Sequence, residues 1–509
     1  MMKKLLSPRF QRITGVGISV LLQMLLFVLV IQQFSQFFLY FYWLCVLISI
    51  IVSMRIASGK AKLPYKVAWI IPILMFPLFG GLVYFFLGGA KRSSTRVRQR
   101  ARDIFRQQLF PAAAAPSDLG ELGVDVVQQS YYMRNVSDCP PYGGTETKYF
   151  PTGEAFFPVL LEELSRAEKY IFLEYFIIAE GKMWSQVENI LAEKAALGVD
   201  VRVIYDDLGS VVSLPRKYPE YLQQQGILCT VFNPVRPVVS IHQNYRDHRK
   251  LCVIDGKVGF AGGLNLADEY INQIRKFGYW KDSAIWLRGP AAWSMTVQFL
   301  HMWESIRRVR VDYDHFRPKL EPFSASRIGF VQPYFDTPLA TDTLCADLHL
   351  QMFSKAKQYL YITSPYLVMD EAIASALYIA ARSGVDVRIM VPHIPDKKSV
   401  FAVTQSHYES LILAGVRIYE YLPGFIHSKT VVADDLYASV GSCNLDYRSL
   451  YLQHENGVWL CGTPSVLDIR DDFLTSLPSC QEIKISDCQG VPFAKRLLRS
   501  ILRIFSPLF

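Results

Sequence analysis

Charge is what the start of this chain lacks. Between Ile13 and Met54 there is no Asp, Glu, Lys or Arg. That absence excludes an ordinary soluble N-terminal segment. One bilayer crossing takes about 20 apolar residues, so the run holds two. Residues 13–32 and 37–54 are the natural pieces, joined at QQFSQ. A cleavage site of the A-x-A kind is also missing and a second apolar piece follows at once, which argues against a secretory signal despite Lys3 and Lys4. The nine cysteines are odd in number and scattered, with no C-x-x-C pair. Neither a zinc site nor a disulfide framework is indicated, and a cytoplasmic setting suits them.

A third apolar segment, 67–89, contains Pro72, Pro77, Gly80, Gly81 and Gly88, so a straight helix is not expected there. Basic clusters lie before the first piece (Lys3, Lys4, Arg9, Arg12), after the second (Arg55, Lys60, Lys62, Lys66) and after the third (Lys91 to Arg102). The positive-inside rule places all three in the cytoplasm if the first two pieces form a hairpin. The third segment then enters and leaves on one face, as a re-entrant or interfacial element. The net charge of +9 reflects these clusters and also suits an anionic membrane surface or nucleic acid. In the ending FAKRLLRSILRIFSPLF, Leu497, Leu498, Ile501, Leu502 and Phe505 recur at helical spacing, with Lys495, Arg496, Arg499 and Arg503 beside them. The expectation is an amphipathic helix that lies on the bilayer or packs on the core.

At 509 residues the chain has room for two or three domains. The part after residue 103 repeats itself. GVDVRVIYD (198–206) returns as GVDVRIMVP (384–392), each after a helical stretch. AEKYIFLEYFI (167–177) pairs with AKQYLYITSPYL (356–367), and GILCTVFNP (226–234) with GVRIYEYLP (415–423). Strands alternating with helices imply an α/β fold: two pseudo-symmetric domains, each a mostly parallel or mixed sheet flanked by helices. The layout expected is a membrane region (1–102), a linker (103–146), two domains (147–325 and 326–490) and the C-terminal helix (491–509).

Each copy then carries the same cassette. The first reads RDHRKLCVIDGKVGFAGGLN, with His248, Lys250, Asp255, Gly263 and Asn265. The second reads FIHSKTVVADDLYASVGSCN, with His427, Lys429, Asp434, Ser442 and Asn444. A lone HxKxxxxD arises by chance in roughly one chain in thirty of this length. Two copies in matching register exclude chance. On a strand the His and Lys face the same way. The Asp ends that strand, the small pair lets backbone approach an anion, and the Asn amide can orient a neighbour. One half binds a phosphate but cannot complete a two-step displacement. Two halves together place imidazoles on opposite sides of one phosphorus, one to attack and one to protonate the leaving oxygen.

This duplicated pattern resembles the phospholipase D superfamily over about 145–509. The apolar start, VAWIIPILMFPLFGGLVYFFLG, EYFII (174–178) and the ending SPLF are further similar to bacterial cardiolipin synthases. One departure is Gln453-His454-Glu455, where that group often has Asn-Phe-Glu. The resemblance implies transfer of a phosphatidyl group between two phosphatidylglycerols, giving cardiolipin and glycerol through a phosphatidyl-histidine. Lys250 and Lys429 would neutralise the phosphoryl oxygens, and Asp255 and Asp434 would hold a Lys or His. Asp282 and Glu455 would fix the imidazole tautomers. No metal, cofactor or nucleic-acid partner is implied, and the setting is the cytoplasmic membrane, multi-pass, with the catalytic part facing the cytoplasm. The oligomeric state has no signal in the sequence.

Overall fold

The computed structural model describes residues 37–59, 63–77, 80–84, 117–235, 241–319, 329–340 and 342–508, with isolated positions between 21 and 29. The expected first crossing, 13–32, lies almost wholly outside the described residues, as do the basic residues 91–102. Among the described residues one helix, α1 (Phe38–Ala57), is long and apolar enough to cross a bilayer. Packed on it is α2 (Leu63–Met75), which carries Pro72 and stops at a turn before a short helical piece, Gly80–Val83. A Cβ at Gly80 would sit 2.4 Å from the Pro72 carbonyl oxygen, so the chain folds back here only because the residue is glycine. Ser49 in α1 donates to the Pro77 carbonyl at 3.0 Å and pins the bend.

Part of the expected linker is not a linker. Residues 103–116 lie outside the described residues, but 117–122 form a short helical turn and α3 (Val124–Ser137) follows. Leu119, Val126 and Met133 are fully buried against the second repeat. Trp459 donates its indole N–H to Gln129 at 3.1 Å, and Ser130 donates to Gln332 at 2.7 Å. Polar residues on its buried face, Gln129, Ser130 and Ser137, disguise α3 in the sequence.

The chain then folds twice into one topology. The first copy runs β1 (Glu146–Phe150), α4 (Gly153–Ser165), β2 (Tyr170–Tyr175), α5 (Lys182–Ala196), β3 (Asp200–Asp206) and β4 (Leu228–Phe232). It continues with β5 (Arg246–Asp247), β6 (Lys250–Ile254), β7 (Val258–Gly262), β8 (Tyr279–Lys281), β9 (Ala284–Arg288) and α6 (Ala292–Arg307). The second copy runs β10 (Phe330–Asp336), α7 (Leu344–Lys355), β11 (Tyr359–Thr363), β12 (Leu367–Val368), α8 (Glu371–Arg382), β13 (Asp386–Pro392), α9 (Lys398–Ser406) and β14 (Arg417–Tyr421). After it come β15 (Gly424–Ile426), β16 (Thr430–Ala433), β17 (Tyr437–Gly441), β18 (Leu445–Asp446), β19 (Gln453–Cys461), α10 (Pro464–Ser476), β20 (Cys480–Ile483) and α11 (Phe493–Phe505). The main sheets have equivalent orders, β1-β9-β7-β6-β2-β3-β4 and β10-β19-β17-β16-β11-β13-β14-β20.

Both sheets are mixed. Along these orders only β2-β3-β4 and β11-β13-β14 are parallel, with α5 between β2 and β3 and α8 between β11 and β13, and the other neighbours are antiparallel. The motif strands explain the difference from a mostly parallel sheet. Three residues join β6 to β7 and β16 to β17, and so short a turn can only return antiparallel. Its first two residues hold positive φ: 53° and 66° at Asp255 and Gly256, 58° and 55° at Asp434 and Asp435.

One hydrophobic core lies between the two sheets. Phe172, Val253 and Ile285 from the first sheet share it with Met390, Val432 and Val458 from the second, together with α6 and α10. Separate cores fill the outer faces under the remaining helices. The halves therefore behave as one body, and their motif strands meet at its centre.

The C-terminal helix packs on the core. α11 packs on α9 and α2. Arg499 is buried and donates to Gln405, and Leu502 packs with Val368, Val403 and Tyr447. Phe493, Leu497, Leu498, Ile501 and Ile504 stay exposed. An apolar face is thus turned outward next to α2, whose Leu63, Leu74 and Met75 are also exposed.

Candidate active site

Each motif histidine sits on a segment that crosses to the other half. β5 runs parallel to β19, pairing Asp247 with His454, and the His248 N–H donates to the His454 carbonyl at 2.9 Å. β15 runs parallel to β8, pairing Ile426 with Lys281, and the His427 N–H donates to the Lys281 carbonyl at 2.7 Å. The residue after each of these acceptors is an acid. His248 Nδ1 lies 3.0 and 3.1 Å from the two oxygens of Glu455, and His427 Nδ1 lies 2.6 Å from Asp282 Oδ2. Each imidazole is therefore held by a carboxylate from the opposite half. A carboxylate at Nδ1 keeps the proton there and leaves Nε2 as the basic nitrogen.

The second residue of each small pair serves those carboxylates. A Cβ at Gly263 would sit 2.1 Å from Asp282 Oδ1, so glycine makes room for the acid. Ser442, its counterpart, donates its hydroxyl to Glu455 Oε2. The Ser283 N–H donates to Asp282 Oδ1 at 2.8 Å. The asparagines act one layer out. Asn265 accepts from the Ile177 N–H at 2.9 Å and donates to the Tyr270 hydroxyl at 2.6 Å, and Tyr270 meets His427 edge to face at 5.7 Å. Asn444 donates to Ser449 at 3.1 Å, while its Oδ1 is buried without a hydrogen bond.

Asp255 and Asp434 do not join the catalytic group. The Asp255 carboxylate accepts from the backbone N–H groups of Glu168, Lys169 and Tyr170 at 2.8–2.9 Å. Asp434 does the same for Lys357, Gln358 and Tyr359 at 2.8–3.0 Å. Five residues of extended chain separate each from its lysine, about 16 Å. They are clips that tie the hairpin turn to the start of β2 or β11. Asp255→Ala and Asp434→Ala are each expected to cost about 1–3 kcal/mol of stability, seen as a lower unfolding midpoint with turnover per folded molecule unchanged. A normal melt with lost turnover would return them to the catalytic group.

Sequence reasoning missed Asn456 because it works through backbone. Its side chain accepts from the Lys250 N–H at 3.1 Å and donates to the Lys250 carbonyl at 3.2 Å, clamping the first motif strand onto the second half. Phe176 (5.1 Å from His248), Trp280 (5.4 Å from His427) and Phe425 (5.6 Å from His427) wall the rings. Ring contacts of this kind have no fixed spacing to reveal them.

The electrostatics mark an anion site. Lys250 and Lys429 are buried and donate to the carbonyls of His248 and His427. Burial pushes Lys250 down to about 7 and Lys429 down to about 8, although Glu455 and Asp282 oppose it. Burial and then both lysines hold His248 well below the usual histidine range, and the same influences plus His248 itself depress His427. The charges of both motifs therefore act on each ring. Burial also raises Glu455 and Asp282 to about 7, against the pull of the lysines. An anion between the lysines would favour their charged forms. A group whose pKa rises on binding takes up protons, so sulfate binding at pH 8 is expected to draw protons from the buffer and to weaken as pH rises. Calorimetry in buffers of different ionisation enthalpy measures this, and proton release would contradict it.

Two equivalent halves, each carrying a buried His and Lys and supplying an acid to the other half's ring, define a phospholipase D-like site. The comparisons agree. The family described as Cardiolipin synthase, PLD-like domain matches residues 160–303 and 349–476, and Phospholipase_D-nuclease N-terminal matches 39–89. An uncharacterized protein of Streptococcus mutans serotype c is 39% identical, over 87% of this chain and 96% of its own length. A cardiolipin synthase of Geobacillus sp. (strain WCH70) is 34% identical, over 96% of this chain and 99% of its own length. The crystal structure of a phosphatidylserine synthase from Haemophilus influenzae Rd KW20 shares the fold, with a TM-score of 0.57 at 16% identity, over 75% of this chain and 98% of that one. The chain belongs to the cardiolipin synthase family of phospholipase D-like proteins, and its enzyme class is phosphatidyl transfer.

Proposed function

We propose that this protein is a cardiolipin synthase that moves a phosphatidyl group from one phosphatidylglycerol to another through a phosphatidyl-histidine. One imidazole Nε2 attacks phosphorus, and the bond from phosphorus to the glycerol oxygen breaks. The other imidazole, protonated at that stage, gives its proton to the departing glycerol. It then takes the proton from the terminal hydroxyl of a second phosphatidylglycerol as that oxygen bonds to phosphorus and the phosphorus–nitrogen bond breaks. Lys250 and Lys429 stabilise the charge on the non-bridging oxygens. The observation that carries this reading is the exchange of acids, each imidazole being held at Nδ1 by a carboxylate from the other half.

The membrane arrangement belongs to the same proposal. The apolar helix α1, the match to the N-terminal family over 39–89 and the outward apolar face of α11 support attachment to the bilayer. With residues 13–32 as a further crossing, the chain is multi-pass and its two halves face the cytoplasm, beside their lipid substrates.

One phosphodiester is exchanged for another, so no nucleotide is needed. Purified protein in vesicles of phosphatidylglycerol alone is expected to make cardiolipin and glycerol, and excess glycerol to reverse the reaction. Phosphatidic acid as the main product, or an absolute need for a CDP-lipid, would overturn the proposal.

A further inference from the structure

A third lysine, Lys397, acts on both motif histidines and has no part in the two-imidazole chemistry. Lys397 lies in the loop 393–397 between β13 and α9. Its Nζ is 5.3 Å from the centre of the Tyr366 ring, and the Tyr366 hydroxyl donates to Asp396 at 2.6 Å. Tyr366 in turn packs against the cluster that holds Tyr270, Trp280 and Phe425, the aromatic wall of His427. The charge of Lys397 reaches both rings, since it is among the influences that lower His248 and His427. Lys397 is exposed and makes no ion pair among the described residues. The ring face attracts the ammonium on one side and leaves its N–H groups on the other side for an anion.

The chemistry needs such an anion site. Lys250 and Lys429 serve the phosphate that is transferred. The acceptor brings a second phosphate, three carbons from its attacking hydroxyl, and that charge must settle near the dyad without entering it. The loop is also tied to the C-terminal helix, whose outer apolar residues are exposed. It runs directly into α9, and α9 is gripped by α11 through Arg499 and Gln405 and through Leu502 against Val403. With the membrane attachment proposed above, a lipid acceptor comes from that side.

We propose that Lys397, braced by Tyr366, binds the phosphate of the acceptor lipid and so selects a phospholipid alcohol over free glycerol and water. This rests on the transfer reaction above, and the test separates the two. Full-length protein in phosphatidylglycerol vesicles is given labelled glycerol, and two products are followed together: cardiolipin, and labelled phosphatidylglycerol from glycerol exchange. Both pass through the same donor half-reaction, and only cardiolipin needs a phosphate-bearing acceptor. Lys397→Gln is expected to lower the ratio of cardiolipin to exchange about tenfold, the scale of one charge-assisted hydrogen bond. Lys397→Arg restores most of it, and Lys398→Gln, at the exposed neighbour, keeps the wild-type ratio. An unchanged ratio in Lys397→Gln, whether both products hold or both fall together, overturns the role of Lys397. Wild-type protein that yields neither product overturns the transfer reaction, and the lysine's role with it.

Discussion

His427→Ala and His248→Ala are each expected to lower cardiolipin formation at least about a thousandfold, and the double variant no further. In the proposed mechanism both rings are needed for one turnover, so losing the second removes nothing that is left. The rings differ in what they do, and a donor with a p-nitrophenol leaving group separates them. That leaving group departs without protonation. The variant that retains the nucleophile should release about one equivalent of nitrophenol per site and keep the lipid on its remaining histidine. The other variant should release none. Mass mapping of the adduct then names the attacking residue. Either single variant turning over within tenfold of wild type would sink the two-imidazole mechanism.

Glu455→Gln and Asp282→Asn carry the second largest effect, about a hundredfold to ten-thousandfold. An amide can donate to Nδ1, which moves the ring proton to Nε2 and removes the basic nitrogen from the chemistry. The cross-pairing makes the prediction specific. Glu455→Gln should reproduce the defect of His248→Ala in the nitrophenol assay, and Asp282→Asn that of His427→Ala. The pH profile separates this role from a merely structural one. Burial raises both carboxyls to about 7, so each is charged above that pH and protonated below it. Orientation through a carboxylate is lost as pH falls through about 7, and kcat/KM should fall with it. The acid limb assigned to one acid should vanish in its amide variant while the thermal midpoint stays in place. An amide variant with the wild-type profile would contradict the assignment.

Much of this site can be read in the chain before folding. The cassettes share one register, and Asp282 and Glu455 stand out as acids near them. What is not local is which acid serves which ring. That depends on β5 against β19 and β15 against β8, contacts of two and three residues between distant parts of the chain. No propensity announces so short a strand. Asp255 and Asp434 were misplaced for the opposite reason. Their conspicuous spacing reflects a strand length, and their partners are backbone N–H groups that any residue type supplies. α3 escaped notice because half of its buried face is polar. The parallel strands and their crossovers were legible from alternating periodicity, whereas the antiparallel return was hidden in turns with positive φ.

The exchange of short strands has a consequence for a chain emerging from the ribosome. When residues 1–310 have been made, His248 and Lys250 are present but Glu455 is still some hundred and fifty codons away. The nascent half holds an untethered imidazole and no partner ring. On the proposed mechanism, phosphatidyl transfer is thus withheld until His427 and Glu455 have been made.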